Sequence, residues 1–170
     1  MPDLLSHALI AYSLCTLLAL RYDWLAPRYV TVGMAGAFVP DLAKADLLVE
    51  GATVGSALGV PFDWFGLHTL GGAAVAVLVG VVLVASEERA RVGSLLSLGA
   101  ASHLVADAFL AKAASVSYPV FWPITQYHPP TPGLYLSTDY WPAVATGVVA
   151  LCVWALVRRP GGLPDRGRLH

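Results

Sequence analysis

His103 and Asp107 stand four residues apart in "GAASHLVADAFL", an otherwise apolar stretch. On a helix this spacing puts an imidazole and a carboxylate on one face, one turn apart. Such a pair can ligate a metal from a single helix, or it can be a hydrogen-bonded pair that joins helices. His7 in "LLSHALIAYSL" and His68 in "FDWFGLHT" add two imidazoles, and Asp41, Asp46 and Asp63 add carboxylates. Three imidazoles with several carboxylates form a donor set of the Zn²⁺ type, in which imidazoles bind directly and carboxylates complete or orient the shell. Plainer uses exist for the same residues: an interface histidine at His7, a turn or cap at Asp41 after Pro40, a solvated loop carboxylate at Asp46.

The elements that must position these groups read as membrane helices. The 170 residues suffice for one domain. Charged residues make up 12% of the chain, where a soluble domain has about 25%, and the mean hydropathy is +0.68. The expected fold is all-α, a polytopic transmembrane helical bundle of about five membrane helices. Their expected extents are 4–20, 29–39, 67–85, 92–113 and 141–157, the second being short. Residues 1–157 form the expected membrane-embedded domain and 158–170 a basic cytoplasmic tail. The opening lacks the positive charge of a secretory signal peptide, since Asp3 precedes the first arginine at Arg21, so 4–20 reads as a retained helix.

Alternating loops put Lys44 and Lys112 on one side. The other side holds Arg21, Arg28, Arg89, Arg91, Arg158, Arg159, Arg166 and Arg168. Positive charge marks the cytoplasmic side, so the expected orientation is multi-pass in the inner membrane, N-terminus outside and C-terminus cytoplasmic. On that topology the His and Asp residues share one depth, in the outer half of the membrane. Ionisable groups there face a bundle interior or a water-filled cavity. The net charge of −1 gives no basic field for nucleic acid. Cys15 and Cys152 lie far apart in apolar runs and match no zinc-ligand spacing.

Taken in order, these motifs resemble the YdjM-type family of membrane-bound metal-dependent hydrolases, which is itself similar to the zinc-dependent phospholipase C and single-strand nuclease superfamily. The family pattern is an early His in the first helix, an acid-rich Pro-Asp block, a His-Arg-Gly-x-x-His-type block, and a Ser-His-x-x-x-Asp block followed by a Pro segment. His7 matches the first. "PDLAKAD" supplies Asp41 and Asp46, "DWFGLHT" supplies His68, and "SHLVAD" supplies His103 and Asp107, with "FWP" after it. Two departures stand out. Asp63 occupies the place of the first His of the third block. Gln126, Tyr127 and His128 follow the Pro segment in place of basic residues, which leaves a phosphate without a basic partner there.

The resemblance implies a hydrolase in which His7, Asp41, His68, His103 and Asp107 ligate one or more divalent ions, most simply Zn²⁺. Asp63 and Asp46 are further candidates, as ligand or general base. The expected substrate is a phosphoester or phospholipid-like molecule at the outer leaflet, with membrane lipid as the partner. The alternative is a non-enzymatic membrane protein, a small transporter or structural partner, whose His/Asp cluster conducts ions or joins helices.

Overall fold

The computed structural model describes residues 4–113 and 115–158. Asp3, His170 and the tail arginines Arg159, Arg166 and Arg168 lie outside the described residues. Six α-helices form: α1 (Leu4–Ala19), α2 (Pro27–Ala37), α3 (Gly51–Leu58), α4 (Leu70–Val82), α5 (Arg89–Asp107) and α6 (Trp141–Val157). Short 3₁₀ segments at Pro40–Leu47, Trp64–His68 and Ser86–Glu88 connect them. Only isolated bridges, such as Leu110 with Tyr135, represent β-structure among the described residues.

The expected polytopic transmembrane bundle is not what forms. Among the described residues no helix is long and apolar enough to cross a membrane. A span needs about 20 apolar residues; the fifth expected span forms in full as α6, 17 residues long, and the first four each fall short for a local reason. In α1, 16 residues end at the Leu20–Arg21 turn. Pro27 starts α2, and the chain enters a new 3₁₀ segment at Pro40, leaving 11 helical residues. The third expected span begins as the Trp64–His68 3₁₀ turn. Thr69 then caps α4, its hydroxyl accepting from the Gly72 N–H, and 13 helical residues remain. Helix α5 reaches 19 residues but carries Arg89, Arg91, Ser94, Ser97, Ser102, His103 and Asp107. It ends at Asp107, where Phe109 and Ala111 pair with the 134–135 backbone. The shared membrane depth and the outside-to-inside orientation lose their basis with the spans. The His and Asp residues come together by helix packing instead.

That packing follows two stripes of four-residue spacing. In α1, His7, Ala11, Cys15 and Ala19 are all buried, while Leu4, Leu5, Leu14 and Leu17 face outward. In α5, Leu95, Gly99, His103 and Asp107 form the buried line. Between these helices lies α2, whose small residues admit both neighbours. A Cβ on Gly33 would fall 2.3 Å from Cys15 Sγ, and one on Gly36 would fall 2.4 Å from the Leu96 carbonyl oxygen. A Cβ on Gly99 would lie 2.1 Å from the Gly33 oxygen and 2.6 Å from the Ala37 nitrogen. Helices α2 and α5 are therefore in backbone contact one turn before His103. On α4 the close contacts are with different neighbours: Gly72 abuts the Gly66 backbone and Gly80 abuts Leu96.

Gly99→Ala tests this contact. The added methyl meets backbone atoms that cannot rotate away, so α5 must move off α2. The expected cost is about 1–3 kcal/mol, the range for overpacked sites, seen as a lower unfolding midpoint in a thermal or denaturant melt. An unchanged midpoint would mean that the helices have slack at this crossing.

The outer surface is strongly apolar. Val75, Leu78, Val79, Val82 and Leu83 around α4, and Val144, Val148, Val149 and Leu151 on α6, are all exposed. An apolar surface of this extent marks contact with a membrane or a partner.

Candidate metal centre

Four elements deliver polar side chains to one place. His7 comes from the first turns of α1, Asp41 from the Pro40–Leu47 segment, His68 from the end of the Trp64–His68 turn, and His103 with Asp107 from α5. The Asp107 carboxylate is the hub. Its Oδ1 lies 3.3 Å from His7 Nε2, and its Oδ2 lies 2.9 Å from His68 Nε2 and 3.6 Å from His103 Nε2. The His7 and His103 rings stack with centroids 3.7 Å apart, and His68 meets His103 edge-on at 5.1 Å.

Two groups in this cluster have the proximity that metal binding requires. His7, His103 and Asp107 offer ligand atoms all within 4.8 Å of one another, and so do Asp41, His68 and His103. His103 belongs to both. The five residues singled out as ligands from the sequence are thus brought together. Asp46 and Asp63 stand further out. Asp46 Oδ1 accepts from the Gly51 N–H at 2.9 Å, and the residue lines a cavity together with His7, Asp41, His68 and Asp107. Asp63 caps the 3₁₀ turn that carries His68, its Oδ1 accepting from the Phe65 N–H at 2.8 Å. His128 is elsewhere, with Nδ1 2.8 Å from the Ser117 carbonyl oxygen.

Backbone carbonyls set the ring orientations. His103 Nδ1 lies 2.7 Å from the Ala37 oxygen, and His68 Nδ1 lies 3.2 Å from the Pro40 oxygen. A carbonyl only accepts, so Nδ1 carries the hydrogen in both rings and the neutral imidazole has its lone pair on Nε2. Both Nε2 atoms face the Asp107 carboxylate, which also only accepts. Lone pairs opposed in this way need a cation between them, a proton or a metal ion. The buried His7 Nδ1, His103 Nε2 and Asp41 Oδ2 have no hydrogen-bond partner, which buried polar atoms seldom tolerate. The donor set and the unpaired atoms both fit a divalent ion.

The model of the YdjM inner membrane protein family matches residues 1–163. The chain belongs to the YdjM inner membrane protein family. The match spans all four motif blocks that carried the sequence resemblance, and the family places the chain at the inner membrane. No curated protein and no solved structure matches it.

This YdjM-family site also holds residues that the sequence reading passed over. Lys44 lines the cavity of about 340 Å³ above the cluster, alongside His7, Asp41, His68 and Asp107. Its Nζ lies 2.5 Å from Asp41 Oδ1. A basic side chain thus reaches the cavity from "PDLAKAD", where the three-residue spacing of Asp41 and Lys44 in a 3₁₀ turn was the available signal. Tyr118 packs edge-on against His68, and its hydroxyl approaches Asp107 Oδ2 to 3.5 Å. Burial, and then the Asp107 charge, push the Tyr118 phenol well above its usual range. It stays protonated and can act only as a neutral donor towards the carboxylate. Tyr135 is pushed up to about 12 by the same two causes, and its hydroxyl donates to the Ala106 carbonyl at 2.6 Å.

Proposed function

We propose that the chain is a membrane-bound metal-dependent hydrolase acting on a phosphoester. One observation carries this reading: the Nε2 lone pairs of His68 and His103, fixed by backbone carbonyls, converge on the Asp107 carboxylate in a pocket reached from a polar cavity. His7, Asp41, His68, His103 and Asp107 would hold the ion, and Zn²⁺ suits a set rich in imidazole. When bound, such an ion supplies Lewis acidity, polarising an ester oxygen and acidifying water.

The chain's own residues do the rest. Lys44, a compact point charge on a flexible stem, meets an anionic phosphoryl oxygen at the cavity wall. Asp46, on the same wall, is the carboxylate outside the ligand set positioned to take a proton from the attacking water. Asp63 acts at a distance by capping the turn that aims His68. Tyr118 steadies Asp107 and closes the His68 side of the pocket.

The test is elemental analysis of the purified protein, paired with hydrolysis of a chromogenic phosphodiester. Zinc should co-purify, turnover should vanish on chelation, and added zinc should restore it. A folded protein that neither takes up zinc nor turns over the ester would make the cluster a helix-joining or ion-conducting device of a non-enzymatic membrane protein.

A further inference from the structure

A second cavity adjoins the candidate metal centre. It measures about 600 Å³, within the range of small-molecule sites. It runs between α1, α5 and α6, walled by Leu14, Leu98, Val105, Phe109, Trp141 and Ala145. His7 lines both this groove and the polar cavity over the cluster. The imidazole is the partition between an apolar compartment and a polar one that holds Lys44, Asp41 and Asp107.

Beyond His7 at its inner end, the groove offers a ligand few free donors, because its hydroxyls give their hydrogens to backbone carbonyls. Ser102 Oγ donates to the Gly99 carbonyl, Thr146 Oγ1 donates to the Pro142 carbonyl, and the Tyr135 hydroxyl donates to the Ala106 carbonyl. An extended peptide would leave its own N–H and C=O groups unpaired there. Along α5 the lining runs from Leu98 to Ala106, about 12 Å at 1.5 Å per residue. A slender alkyl chain fits both the chemistry and the space. The inner membrane, where the family resides, supplies such chains on anionic phosphoester heads.

We infer that the α1/α5/α6 groove receives one acyl chain of a membrane phospholipid, whose phosphoester head lies across His7 in the Lys44 and Asp107 cavity. Placement of the head rests on the hydrolase reading above. Seating of the tail does not, and it can be measured without turnover.

The probe is phosphatidylglycerol bearing a mid-chain diazirine, added to the purified, metal-stripped full chain in detergent and photolysed. Labels should concentrate on 98–109 and 141–146 and be competed away by unlabelled phosphatidylglycerol. Ala145→Trp, which fills the groove from α6, should abolish that labelling while the exposed face of α4 around Val75 and Val82 labels as before. Ala101→Trp fills it from α5 and should act alike, which guards against a folding defect in either variant. Uniform labelling of the apolar surface, indifferent to both substitutions, would overturn the inference, as would labelling that unlabelled phosphatidylglycerol does not compete away. The two readings fail separately. Groove labelling without zinc-dependent turnover removes the hydrolase and keeps the tail site. Zinc-dependent turnover of a short-chain phosphodiester without groove labelling does the reverse.

Discussion

Asp107→Asn should fold as the wild type does and bind zinc at least about 10–100-fold more weakly, the loss seen when even an indirect partner of a metal ligand is removed. The amide keeps one acceptor oxygen and gains an N–H₂ group at the position nearest His68 Nε2 and His103 Nε2, at 2.9 and 3.6 Å. Those lone pairs would then meet a donor, so the cluster is satisfied without any cation. What disappears is the negative charge at the hub. If the cluster serves only to join helices, the substitution is nearly silent, because the amide still hydrogen-bonds and a net intramolecular hydrogen bond is worth only about 1 kcal/mol. Zinc titration followed by competition with a chelator separates the two cases. Wild-type affinity in a folded variant would assign Asp107 to packing.

His103→Ala should have the widest effect, since this ring belongs to both candidate triads, is fully buried, and stacks on His7. Metal content should fall by at least about tenfold, and the melt should shift down with the lost stacking and the cavity left behind. His103→Asn separates these effects. Its amide nitrogen can stand near the place of Nδ1 and still donate to the Ala37 carbonyl, but nothing replaces Nε2. It should recover part of the stability and none of the metal. His128→Ala, at a residue pinned to the Ser117 carbonyl, should leave metal content unchanged. Retention of zinc by His103→Asn would exclude this ring from the ligand set.

The donor types were legible because their chemistry is local. An imidazole and a carboxylate four apart share a helix face in any packing arrangement, and His7 occupies the same register as Ala11 and Cys15, whose small size marks a buried stripe. The ends of the helices were not legible from hydropathy. Thr69 starts α4 with a single hydroxyl inside a run of apolar residues, and beyond Asp107, the end of α5, the chain pairs with the 134–135 backbone. Counting apolar residues registers neither event, so 67–85 and 92–113 read as longer helices than the 13 and 19 residues that form. Lys44 went unassigned because its role depends on the Pro40–Leu47 segment folding back over the cluster. The backbone contact of Gly33 and Gly36 with α5 depends on which helices meet, which a single chain's periodicity does not specify.

His103 has one nitrogen tied to the Ala37 carbonyl, so it has a single lone pair to share between the two triads. Ions seated at His7–His103–Asp107 and at Asp41–His68–His103 would compete for that lone pair. If the cluster binds metal as proposed, His103 would serve one ion at a time, at one berth or the other. A zinc titration should saturate at one equivalent, and paramagnetic substitution should show an isolated spin. An ion at the Asp41 berth would draw that carboxylate from Lys44, which would then be free to face the cavity.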